Sequence, residues 1–140
     1  MTMSVVLGYD ESPGAVRALH VAIEVSAAFG EPLVLVYGAA VPGSLGEEYA
    51  AHRDAVRETG RSVLAHAVAV AEESGVRTRV EVVDQKPAEA LIDAARRHGA
   101  RCIVVGSWGE SPLRGALLGA TPHKLLHLAR TPVLCVPTEP

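Results

Sequence analysis

Short apolar runs alternate along this chain with longer stretches whose apolar positions recur at helical spacing. Val5–Gly8 is the first run and has the form of a buried strand. Ser12 and Pro13 then predict a helix start, with a hydroxyl for the N-cap and a proline in the first turn. That helix runs to about Phe29, where Gly30 stops it. Leu33–Tyr37 reads as a second strand and Val41–Ser44 as a loop. A long helix follows from about Leu45 to Ser74, with Tyr49, Val56, Val63, Leu64, Ala67 and Val70 at helical spacing. From Val76 to Val83 the pattern changes to alternation. Arg77, Arg79 and Glu81 oppose Val76, Thr78, Val80 and Val82, which predicts an edge strand with one wet face. Pro87 opens a helix through Leu91 and Ala95 that ends at Gly99. Cys102–Val105 is a fourth strand. Thr121-Pro122 is expected to cap and open a last helix, and Val133–Val136 is a fifth strand.

Mostly apolar strands alternating with helices imply an α/β fold: a parallel sheet with helices on both faces. Right-handed crossovers make it a doubly wound domain. Ligands in such sheets bind beyond the carboxyl ends of the strands, where the winding reverses. Here the first strand ends in Gly8-Tyr9-Asp10 and the fourth in Gly106-Ser107-Trp108-Gly109. The segment from Gly106 to Ala120 is long for such a connection, and long loops are often functional. It ends at Gly119, at the start of an apolar helix. Unpaired N–H groups and the positive end of a helix dipole then surround one point, which attracts an anion. A phosphate, as part of a nucleotide, is the first expectation.

The 140 residues read as a single domain spanning 1–140, large enough to bury a core. A 49% hydrophobic composition argues against disorder. No apolar stretch approaches the roughly 18–20 residues of a membrane span. The net charge of −3, without a basic block, argues against nucleic-acid binding. The start carries no secretory pattern, so a cytoplasmic location is expected. Cys102 and Cys135 read as reduced core cysteines. If their strands are parallel neighbours, an offset of about three residues separates them by roughly 10 Å, beyond disulfide reach.

Three segments resemble the universal stress protein family, and the resemblance covers essentially the whole chain. They are Val5-Val6-Leu7-Gly8-Tyr9-Asp10-Glu11-Ser12, Pro87-Ala88-Glu89-Ala90-Leu91, and the spacing Gly106-x2-Gly109-x9-Gly119. The last is similar to the family's nucleotide motif up to its final position. The ending Thr131-Pro132-Val133-Leu134-Cys135-Val136 adds to the match. The resemblance implies a five-stranded parallel sheet of order 3-2-1-4-5 and a cytoplasmic homodimer that binds an adenine nucleotide. ATP is favoured, with Mg as a companion and AMP or cyclic AMP as lesser candidates. It also implies roles for single residues. Asp10 would accept from the ribose hydroxyls, and Gly8 and Tyr9 would line the adenosine. Gly38 would meet the adenine edge, and Val105 and Gly106 would floor the sugar. Gly109, Gly119, Ala120 and Thr121 would surround the phosphates. The fifth strand lies at the sheet edge in this order, so it is expected to pair with its copy across a two-fold axis.

The chain departs from the family pattern at one place. Ala120 stands where the motif has Ser or Thr. The hydroxyl comes one residue later, on Thr121, and Pro122 has no N–H to give. Several rival readings stay open. Thr121-Pro122 also suits a plain helix start, and Asp10 a turn or helix-entry acid. Trp108 reads either as a loop aromatic or as a lid over ligand. His123 and His127, four apart on one helix, have no evident third ligand and read as a solvated or interface face. Arg53, Arg57 and Arg61 read as a solvated helix face. No Walker loop, nucleophile elbow or dinucleotide fingerprint is present, which argues against an enzyme, slow nucleotide hydrolysis aside. Two functions from different classes remain: a nucleotide-binding regulatory domain, and a nucleotide-free member that acts through its dimer surface.

Overall fold

A computed structural model describes residues 2–41, 46–107 and 119–138. In chain order the elements are β1 (Ser4–Gly8), α1 (Pro13–Phe29), β2 (Leu33–Gly38), α2 (Glu47–Glu73), β3 (Thr78–Val83), α3 (Pro87–Arg97), β4 (Ala100–Gly106), α4 (Ala120–Leu128) and β5 (Val133–Val136). The strands form one sheet of order β3-β2-β1-β4-β5, and every neighbouring pair is parallel. The fold is the expected doubly wound α/β domain. The chain winds outward from β1 to β3, then returns to β4 on the other side. The switch point therefore lies between β1 and β4.

The alternation of side chains across the strands explains the two cores. Val5, Leu7, Leu33, Leu35 and Val104 pack under residues of α1 and α2. Val6, Val34, Val36, Ile103 and Val105 pack under residues of α3 and α4. Both faces are covered, so the central strands are apolar at nearly every position. The ends of α1 follow its sequence signals. Ser12 Oγ accepts from the Ala15 N–H at 3.2 Å. Gly30, at φ 66°, closes the helix with its N–H donating to the Ala27 carbonyl.

Three expectations change. The last helix begins two residues earlier, at Ala120, and its N-cap is Gly119 rather than Thr121. Thr121 thus lies inside the first turn and does not cap. β3 begins at Thr78, because the Val76 N–H is drawn back to the Ala71 carbonyl at the end of α2. It does lie at the sheet edge, but its wet face is not simple. Val80 is 54% exposed, whereas Glu81 is half-buried beside Arg97 and His98 of the α3 terminus. The charge partners draw the acid inward. The expected helix start at Leu45 lies outside the described residues.

The two cysteines are free and half-buried rather than fully core. Val105 pairs with Cys135 in register, so Cys102 lies three positions away. An odd offset also puts them on opposite faces of the sheet, Cys102 against the α1/α2 core and Cys135 against the α3/α4 core. Burial pushes both thiols up. Among the described residues, no helix is long and apolar enough to cross a membrane.

Candidate functional site

The carboxyl ends of β1, β2 and β4 open into a cavity of about 250 Å³. It lies at the switch point, between the N-termini of α1, α3 and α4. Gly8, Tyr9, Asp10, Gly38, Val105, Gly106, Gly119, Ala120 and Thr121 all line it. Of the residues singled out from sequence, only Gly109 is missing from this set; it and Trp108 lie outside the described residues.

Two glycines owe their place to close packing. A Cβ on Gly106 would sit 2.6 Å from the Gly14 carbonyl carbon of α1, and one on Gly38 would sit 2.9 Å from the Ala90 Cβ of α3. Both contacts are shorter than real Cβ atoms allow, so these glycines bring helix N-termini against the strand ends. The cavity is a product of that approach.

Polar groups rim the cavity on two sides. On the β1 side, Asp10 Oδ1 accepts from the Ser12 N–H at 3.0 Å. This is the turn role anticipated for it, but it occupies one oxygen. The second carboxylate oxygen has no partner among the described residues. On the α4 side, the Gly119 N–H is already committed to the Ser107 carbonyl at 2.7 Å, and Ser107 N–H donates to Val136 at 2.8 Å. These bonds pin the two ends of the β4–α4 connection together. They also take Gly119 out of the set of available donors. His123 N–H bonds back to the Gly119 carbonyl, and Pro122 has no N–H. The first turn of α4 therefore offers the amides of Ala120 and Thr121. Thr121 is not the N-cap of α4, so its hydroxyl has no capping duty.

Tyr9 lines the cavity while its ring belongs to the α1/α2 core, at 6% exposure. Burial, with Glu11 and Asp10 close by, pushes its phenol up. The wall opposite is apolar. Val36, Ala15, Leu91, Pro87 and Pro122 line it, with Tyr37 and Ser12. The sequence reading did not assign these seven to the site. Pro87 and Leu91 were visible in the Pro87–Leu91 segment, and the others follow only from knowing which strand ends are neighbours.

The connection after Gly38 is anchored from below. Asp84 accepts from the Val41 N–H at 3.0 Å and from the Tyr49 hydroxyl at 2.8 Å. These bonds, the Val41 amide first, hold the Asp84 carboxyl below the usual range. Neither Lys86 nor Lys124 lines the cavity; Lys124 pairs with Glu89 of α3 instead. His123 and His127 are exposed and meet edge to face, ring centroids 4.7 Å apart. Among the described residues, no group of three or more His, Cys, Asp or Glu is placed to hold a metal ion.

Chemically, the cavity joins a carboxylate acceptor, a greasy wall and a pair of helix amides. That set can hold a ligand with hydroxyls, a flat apolar body and an anionic tail.

These features define a doubly wound α/β domain with a cleft at the switch point. The chain belongs to the universal stress protein family, whose profile matches residues 1–137. A universal stress protein of Thermus aquaticus is 33% identical over 141 residues, covering 97% of this chain and 99% of that one. The universal stress protein YxiE of Bacillus subtilis is 36% identical over 84 residues, 60% of this chain and 57% of its own length. Among solved structures, a universal stress protein in complex with cAMP is 28% identical, with a TM-score of 0.75 and 98% of each chain covered.

Proposed function

We propose that this chain binds an adenine nucleotide in the switch-point cleft, ATP before AMP or cyclic AMP, with Mg accompanying the triphosphate. It then works as a cytoplasmic regulatory protein of the stress response rather than as an enzyme. One observation carries the reading. Nine residues chosen from sequence for nucleotide contact line a single cavity, with the Asp10 carboxylate on one rim and the Ala120 and Thr121 amides on the other. The solved relative in complex with cAMP supports an adenine nucleotide as the ligand class.

The residues fit such a ligand. The carboxylate oxygen left over on Asp10 suits a ribose hydroxyl, a charge-assisted bond. Gly38 presents backbone where an adenine edge would lie, and Val105 and Gly106 form a flat floor. The α4 amides suit phosphate oxygens. Among the described lining residues no lysine backs them, and the donors there include main-chain amides at the helix end. Among the described residues, Asp10 is the one carboxylate lining the cavity, and the ribose role occupies it.

The homodimer reading rests on β5. It is the outer strand next to β4, it is apolar, and Leu134 is 40% exposed there. Leu126 and Leu128 of the adjoining α4 are 54% and 56% exposed. An edge of this kind favours pairing with a second copy.

Mass spectrometry of small molecules released from the purified protein tests the function directly. The expected result is an adenine nucleotide in near-stoichiometric amount, or ATP uptake by the stripped protein. Protein that carries none and takes up none would favour the nucleotide-free alternative. Sedimentation at micromolar concentration tests the dimer, which Leu134→Pro should dissociate.

A further inference from the structure

The turn that presents Asp10 is held in an unfavourable backbone conformation. Glu11 has φ 64° and is the one non-glycine residue with positive φ among the described residues. Residues with a Cβ adopt this left-handed conformation only when their surroundings impose it. Hydrogen bonds on either side account for part of the constraint. Asp10 Oδ1 accepts from Ser12 N–H, and Ser12 Oγ caps α1. The Glu11 side chain supplies another hold. It crosses to α2, where its Oε1 meets Nδ1 of His66. His66 stands on a fixed base, because Leu64 and Ala67 beside it are buried in the α1/α2 core.

An exposed pair of this kind adds little to global stability. Its consequence is geometric: it ties the strained turn to α2, none of whose residues lines the cavity. We propose that His66 is a positioning residue for the nucleotide ribose. By holding Glu11, it fixes the left-handed turn that aims the free Asp10 oxygen into the cleft. α2 thereby becomes part of the site without touching the ligand. The inference rests on the cleft being a nucleotide site.

The test compares ATP with 2′,3′-dideoxyATP, which offers Asp10 no hydroxyl. Calorimetric titration of His66→Ala should show ATP weakened about two- to five-fold, the range of an exposed ion pair. Binding of 2′,3′-dideoxyATP should not change. His66→Gln, whose amide still donates to Glu11, should restore ATP affinity. Glu11→Gly should raise the unfolding midpoint by relieving the backbone, yet weaken ATP as His66→Ala does. The double variant should bind no worse than either single one. Without ligand, amide exchange at Glu11 and Ser12 should quicken in His66→Ala while the rest of α1 keeps its protection. Unchanged ATP affinity with unchanged exchange would overturn the proposal, and so would an equal loss for both nucleotides. A wild-type protein that binds neither nucleotide would overturn the nucleotide reading, and this proposal with it.

Discussion

The two ends of the sheet are built from the same strands but handle their polar groups differently. At the amino end, charges are largely matched within the protein. Glu31, 9% exposed, receives Nε and Nη2 of Arg101, and Arg101 lies 3.9 Å above the Phe29 ring. Glu81 receives Arg97 and His98, and the Ser4 hydroxyl donates to the His98 carbonyl. At the carboxyl end Asp84 is matched as well, but the groups around the cleft are only half-matched. Among the described residues, Asp10 uses one oxygen and the Ala120 and Thr121 amides have no partner. Glycines there bring backbones together without filling the gap. The contrast favours the proposed reading, in which the amino end completes itself and the cleft at the carboxyl end takes a ligand.

The strongest way to break this contrast is to fill the cleft floor. Gly106→Val would drive a side chain into the Gly14 backbone, and overpacking of this kind costs about 1–3 kcal/mol. Chemical denaturation should show the loss, and nucleotide binding should vanish with it. A wild-type midpoint would mean that α1 can move away freely.

A change at the opposite end should separate stability from binding. Glu31→Gln leaves Arg101 without its charge partner in a half-covered place. The unfolding midpoint should fall by less than for Gly106→Val, while ATP affinity stays constant. Altered affinity would show that the two ends are coupled.

Ala120→Ser sharpens the comparison from the ligand side by adding a donor at the rim. A bond to a charged acceptor at the low end of its range corresponds to roughly tenfold tighter ATP. The gain should be smaller for AMP if, as proposed, the hydroxyl faces the distal phosphates. Equal gains for both would place it elsewhere. No gain for either would mean that the Thr121 hydroxyl already fills the role.

The smallest effect concerns pH. Arg97, then His98, holds the Glu81 carboxyl below its ordinary value against the opposing effect of burial. A carboxyl lowered in the folded state stabilises above its unfolded value, and that contribution is lost as pH falls through the folded value. Stability should therefore drop below about pH 4.3, by no more than about 1 kcal/mol for this half-exposed cluster. Glu81→Gln should flatten that part of the profile. An unchanged slope would assign acid sensitivity to other carboxylates.

Most of the fold could be read from periodicity. Buried strands such as Leu33–Tyr37 and capped helices such as the one opened by Ser12-Pro13 carry their signals locally. Element ends were less legible. The start of α4 depends on Gly119 bonding to Ser107, a contact between the two ends of a long connection that no local pattern encodes. The inward turn of Glu81 likewise depends on Arg97 and His98, sixteen and seventeen residues away. The site residues with a chemical signature, Asp10 and the glycines, were visible in the chain. The apolar lining of Ala15, Val36 and Pro122 was not, because nothing distinguishes cleft-lining apolar residues from core ones until the strands are ordered. His66 carries no local signal either, because its partner Glu11 lies 55 residues away.

The central claim is that the carboxyl-end cleft holds a nucleotide through Asp10. Calorimetric titration of ATP into wild type and Asp10→Ala tests it most directly. Truncation removes charge-assisted bonds of about 1.5–3 kcal/mol, so affinity should fall roughly ten- to a hundred-fold. Equal affinity in the two proteins would take Asp10 out of the site, and absence of binding to the wild type would contradict the account altogether.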